Sequence, residues 1–137
     1  GVAWAAFSAS TSADAAGATE AVVPVTVGGT QVKQSLLPGE SSDVKLALEN
    51  PNQNVRTAIK SVEAAGVKVT AISGGGDATT CAGFVKQVPT TPDNLVLSKG
   101  AKHTLTLPGG ILLEDAPFEC NGMTYSTTWK VTFEAVR

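Results

Sequence analysis

The chain has 137 residues, with 10 basic and 12 acidic side chains and a formal net charge of −2. That balance gives no electrostatic basis for binding nucleic acid or an anionic membrane, and no run approaches the roughly 18 to 20 apolar residues of a membrane span. Charged residues make up 16%, against roughly 25% in an average soluble protein; Ala, Val, Thr, Ser and Gly dominate, which suits pleated strands better than charge-laced helices.

Residues 1–20, GVAWAAFSASTSADAAGATE, are the part that a self-contained domain does not need. A short apolar run carrying Trp4 and Phe7 gives way to Ala, Ser, Thr and Gly without a period. Small residues bury too little apolar area to offset about 1 to 2 kcal/mol per residue of backbone ordering. The arm is therefore expected to be held by its own domain or by a neighbouring molecule. Its apolar run is too short for a signal h-region and fits the start of a chain from which a signal has been removed. The division is an arm at 1–20 and a β-sandwich at 21–137.

Residues 21–27, AVVPVTV, predict the first strand; Pro24 has no amide proton, so this is an edge strand or its pairing is interrupted there. Gly28 and Gly29 predict a turn into TQVKQSLL, where Val32 alternates with polar partners. Pro38 followed by Gly39 has the pattern of a type II turn. Residues 42–49, SDVKLALE, give the clearest strand, with Val44, Leu46 and Leu48 on one face against Lys45, Ala47 and Glu49. Asn50-Pro51-Asn52-Gln53-Asn54 predicts a turn, since Asn side chains mimic backbone and Pro cannot continue a ladder. Residues 55–62 read as extended on their β-branched content, with a helix over TAIKSVEAAG, capped at Gly66, as the competing reading. Residues 67–73 form a further strand, ended by Gly74, Gly75 and Gly76.

A loop holding Cys81 leads to a short strand at 84–88, then a loop at 89–94. Residues 95–98 and 102–107 are strands around Lys99-Gly100, and Pro108-Gly109-Gly110 turns the chain into residues 111–113. The second cysteine loop spans 115–122. Residues 123–136 carry the longest alternation, with Met123, Tyr125, Thr127, Trp129, Val131, Phe133 and Ala135 on one face. Short strands separated by Gly, Pro and Asn turns every roughly 8 to 12 residues, with no convincing helix, read as an all-β fold: an Ig-like or jelly-roll antiparallel β-sandwich with an extended N-terminal arm. Trp129 is then a core aromatic.

Cys81 and Cys120 are the whole thiol inventory. They form either one disulfide in an oxidising compartment or two buried free thiols in a cytosolic protein. Their polar, turn-rich surroundings, ATTCAGF and PFECNGM, favour the bridge, because unpaired Cys belongs in apolar cores. With a single His they cannot complete a structural zinc tetrahedron. His103, in KHTLTL, reads as an exposed strand residue. Glu114, Asp115 and Asp93 lie in loops, with nothing to pair them across a cleft as glycoside hydrolysis requires. There is no G-x-S-x-G elbow, the triple glycine lacks the Lys-Ser/Thr of a phosphate loop, and Asp77 alone is too little for calcium. The expectation is a protein that is not an enzyme and holds no metal or cofactor.

The segment from Leu37 through Pro38, Gly39, Val44 and Leu46 to Asn50-Pro51 resembles the PG-x-x-x-x-V-x-L…NP strand-turn-strand of secreted bacterial Ig-like β-sandwich modules, especially small actinobacterial surface proteins with two loop cysteines. Ala6-Phe7-Ser8, leading through Ser and Thr to Ala16-Gly17 and Val22, is similar to the mature start of the TasA and camelysin family. That resemblance implies extracellular fibres in which the N-terminal arm of one subunit adds a strand to the sandwich of the next. The family's acidic residue after the Phe-Ser step is Ala9 here, and no His-Glu metal pattern is present, so no protease-like activity is carried over.

Two functions are expected from these features. The first is a structural subunit of an extracellular bacterial filament, pilus-like or biofilm-fibre-like, polymerising head to tail by donor-strand complementation with other copies of itself. Seven extended residues reach about 23 Å and the arm to Glu20 about 65 Å. In such an exchange main-chain hydrogen bonds carry affinity while alternate side chains plug a groove, and head-to-tail contacts that do not close make fibres. Val2, Trp4 and Ala6, or Ala3, Ala5 and Phe7, are the plugs; the interface residues of the donor arm are thus Val2, Trp4, Ala6 and Phe7. The alternative is a secreted module that recognises wall glycan or a host surface, with Tyr125 and Trp4 as stacking platforms. A third possibility is a plain sandwich whose arm packs back on its own chain, burying Trp4 and Phe7 there.

Overall fold

The strand at the centre of the structure is the one whose alternation is cleanest. In a computed structural model, which describes residues 16–137, the strands are β1 (Thr26–Gln31), β2 (Ser41–Glu49), β3 (Arg56–Ala71), β4 (Val85–Gln87), β5 (Val96–Leu97), β6 (Lys102–Leu113) and β7 (Thr124–Val136). A one-turn helix α1 (Ala78–Ala82) lies between β3 and β4, and a 3₁₀ turn (Phe118–Cys120) precedes β7. One sheet has the order β1-β2-β6-β4 and the other β5-β3-β7, and every pairing is antiparallel. The all-β fold with two antiparallel sheets matches the expectation from strand and turn spacing. The donor-arm residues Val2, Trp4, Ala6 and Phe7 lie outside the described residues.

β2 buries Val44, Leu46 and Leu48 on one face and exposes Lys45 and Ala47 on the other. Opposite it, β6 buries Leu107, Ile111 and Leu113, and Val85, Ile59, Val62 and Leu97 bring β4, β3 and β5 into the same cluster. Each of these aliphatic side chains contributes about 1.5 to 3 kcal/mol by leaving water. Trp129 and Phe133 are partly buried against this cluster, so Trp129 is a core-edge aromatic.

Several boundaries differ from the sequence reading, each for a local reason. The first strand is not 21–27 but begins at Thr26 and runs through Gly28 and Gly29, which were expected to turn. Pro24 cannot donate to a ladder; just before it the Asn52 side chain takes the place of a strand, its Oδ1 accepting from the Val23 amide at 2.7 Å and its Nδ2 donating to the Val23 carbonyl at 2.7 Å. The two strands expected at 55–62 and 67–73 are one 16-residue strand, β3. Gly66, at φ +128°, lets it bend without ending, and register shifts mark the bends. The strand reading of this stretch therefore holds and the helix does not. Pro108-Gly109-Gly110 is a bulge inside β6 rather than a turn: these three residues lie opposite Asp43 alone. Gly109 takes φ +57°, and its amide donates to Asp43 Oδ1 at 2.8 Å. The expectation of no helix misses α1, whose N-cap Asp77 accepts from the Thr80 amide at 2.9 Å, an arrangement that holds the Asp77 carboxyl below its ordinary range. The Pro38-Gly39 turn is as expected, with Gly39 at φ +88° and the Glu40 amide bonded to the Leu37 carbonyl at 3.0 Å.

Asn50 is the polar centre of one end of the fold. Fully buried, it donates through Nδ2 to the carbonyls of Val55 and Ser98, both at 3.0 Å. Its Oδ1 accepts from the Asn52 amide at 3.0 Å and from Asn52 Nδ2 at 2.9 Å. One side chain thus ties the β2–β3 and β5–β6 connections together and, through Asn52, anchors Val23. Replacing Asn50 by Ala strands the buried Val55 carbonyl; the expected loss is about 1 to 3 kcal/mol of folding stability, read from the urea midpoint at unchanged slope.

Candidate functional site

Among the described residues lies an open groove of about 1200 Å³. One wall is β1, through Val27, Gly29 and Gln31; the other is the first half of β7, through Tyr125, Thr127 and Trp129. Val44 and Leu46 form its floor, and the segment around Leu36 and Leu37 and the loop around Phe118 and Met123 close its end. The groove exists because β1 has little apolar matter to offer. Pairing puts Val27, Gly29 and Gln31 on the face that β2 fills with Leu48, Leu46 and Val44, and a lone valine, a missing side chain and an amide cannot close the space over them.

A side-chain hydrogen bond links the two walls. The Tyr125 hydroxyl donates to Gln31 Oε1 at 2.9 Å, and burial of the ring pushes the phenol above its usual value. Farther along β7, the Trp129 indole N–H donates to Thr127 Oγ1 at 3.0 Å. At the closed end two side chains are bare, Leu37 at 70% and Phe118 at 82% exposure. Both walls belong to strands at the edge of their sheets: among the described residues β1 pairs only with β2, and β7 only with β3. An unpaired edge presents N–H and C=O groups that another strand can take.

Two devices hold the end walls. Cys81 and Cys120 form a disulfide, with Cα atoms 5.6 Å apart, that staples α1 to the 3₁₀ turn; of the two readings of these residues the bridge is the one adopted. Beside it the Gly74 amide donates to the Asn121 carbonyl at 3.1 Å and the Gly76 amide to the Glu119 carbonyl at 2.9 Å. A Cβ at Gly76 would lie 2.6 Å from that carbonyl oxygen, so the triple glycine is there for close backbone approach. The other wall is set by Glu40, which accepts from Lys33 Nζ at 2.8 Å and from the Leu37 amide at 2.7 Å; these bonds hold its carboxyl below the usual carboxylate range.

The remaining residues singled out in the sequence do not converge. His103 is exposed on β6, paired with Leu48. Glu114 faces Lys86 at 3.7 Å on the surface, and Asp93 and Asp115 are exposed in separate loops. Tyr125, expected as an exposed platform, is half-buried in the groove with its hydroxyl engaged. Sequence reasoning missed the groove itself, because Gly29, Gln31 and Thr127 are unremarkable types; the available signal was the shortage of apolar residues in 26–31, TVGGTQ. Compared with known proteins, the chain matches no family model, no curated protein and no solved structure.

Reducing the disulfide, which closes a loop between positions separated by 39, is expected to cost about 4 kcal/mol on the chain-entropy relation, measured by denaturation with and without reductant. Tyr125 is the single tyrosine, so ultraviolet difference absorbance reports it alone, and its ionisation is expected above about pH 10. The unfolded chain then loses its phenolic proton first, and stability falls as pH rises from that point through the folded value.

Proposed function

We propose that this chain is a structural subunit of an extracellular bacterial filament, polymerising head to tail by donor-strand complementation, with residues 1–20 of one copy lying in the groove of the next. On this reading the two sheets are an Ig-like or jelly-roll sandwich that is one strand short. The observation that carries it is the groove of about 1200 Å³ flanked by β1 and β7, each paired on one side only among the described residues. An added strand satisfies their open backbone groups while its alternate side chains fill the space over Val44 and Leu46.

The direction of the chain suits such an assembly. The segment leading into β1 joins it at Thr26, opposite Glu49, and the groove runs along β1 from Val27 to Gln31. An arm and a groove that are different parts of the subunit make a heterologous contact, the head-to-tail relation that propagates when it does not close. The disulfide agrees with an oxidising, extracytoplasmic setting, as does the resemblance to secreted surface and fibre proteins.

Deletion of residues 1–12 tests the proposal. Under conditions in which the full chain forms filaments, the shortened chain is expected to remain monomeric by sedimentation and electron microscopy. Filaments of ordinary length from the shortened chain would overturn the donor role.

A further inference from the structure

Within β1 the groove-facing positions are Val27, Gly29 and Gln31, so Gly29 leaves a notch between two side chains. A glycine inside a strand weakens it, and it usually marks a bulge, a backbone bend or the close approach of another group. The first two do not apply. The β1–β2 register runs from Thr26 to Gln31 without a shift, and Gly29 is absent from the glycines of positive φ. Crowding within the subunit does not apply either: a Cβ at Gly29 meets only Leu46 Cδ2, at 3.4 Å, an ordinary contact. The position is free to carry a side chain and instead keeps the groove open above Leu46.

We infer that the notch at Gly29 is a side-chain socket for Trp4 of a second copy, an inference that rests on the donor-strand reading above. The socket is apolar at its floor, yet Gln31 and Thr127 stand at its sides. An indole has the matching duality, a large apolar body and an N–H that requires an acceptor when buried; Phe7, the other aromatic of the arm, has no such group. In an extended arm Val2 and Ala6 point the same way as Trp4, so apolar neighbours fall on either side of the socket. The donor is a second copy on the donor-strand reading; each chain's own described segment joins β1 at Thr26, just after Asn52 holds both backbone groups of Val23.

Gly29→Val fills the socket, while Gly28→Val makes the same exchange on the opposite face of β1, where a Cβ meets nothing within 4 Å. Full-length Gly28→Val is expected to polymerise as the wild type does. Full-length Gly29→Val, with its own arm intact, is expected to melt no lower than wild type but to remain monomeric alone, and to shorten wild-type filaments when added in substoichiometric amounts, because it can donate and cannot accept. Trp4→Ala, which leaves every described residue unchanged, is expected to weaken subunit association roughly thirtyfold, as loss of a buried aromatic anchor does. Mixing it with Gly29→Val should give short complexes and no filaments. If Gly29→Val elongates normally while deletion of residues 1–12 abolishes filaments, the socket is wrong and the donor arm stands. If the deletion leaves filaments intact, the reading beneath it falls.

Discussion

The structure depends on the burial of one face of β2. Val44, Leu46 and Leu48 leave water together because the strand alternates strictly, and their contacts organise both sheets into a single apolar cluster. Everything peripheral can be described by how well it covers that face. β6 covers it with leucine and isoleucine, and its Pro108-Gly109-Gly110 bulge keeps Ile111 and Leu113 turned inward after three residues have passed a single partner. β1 covers it poorly, and the groove is the result.

This makes the groove a consequence of composition rather than of an unusual backbone. A sheet edge carrying Val27, Gly29 and Gln31 meets a strand whose inner positions include Tyr125 and Thr127, and polar side chains at these places bridge the gap at one hydrogen bond instead of filling it. Filling it from outside offers apolar contact and open ladder positions at once, which is why the arm with Trp4 and Phe7 and the groove are read as complementary halves of one interface. The rigid end walls matter for the same reason. The disulfide, the glycine approach to residues 119–121 and the Glu40 bonds fix the groove's end, so on the proposed reading less ordering would be lost on association.

The legibility of these features in the sequence divides along a physical line. Period-two alternation, a Pro-Gly turn and two cysteines in polar loops are local signals, and the residues that carry them behaved accordingly: β2, the turn at Gly39 and the Cys81–Cys120 bridge. Glycine was ambiguous. At Gly39 it did turn the chain, but at Gly28 and Gly29 it sits inside a strand, at Gly66 it bends one, and at Gly109 it bulges one, because a ladder partner can hold a strand through a position whose local preference is to turn. Asn50 shows the same limit. Its type suggested a turn, and only the fold shows it buried with the carbonyls of Val55 and Ser98 as its partners.

From the sequence alone come the β class, the identity of the strand at its centre and the two cysteines available to a bridge. These rest on side-chain period, turn chemistry and composition, which act within a few residues. The tertiary structure decided which strands lie at the edges, that the two strands predicted on either side of Gly66 are one, that β6 continues through residues 108–110, and that β1 and β7 face each other across an unfilled groove. Those outcomes depend on register between segments far apart in the chain, where one residue's shift exchanges the inner and outer faces, and no local pattern contains that information.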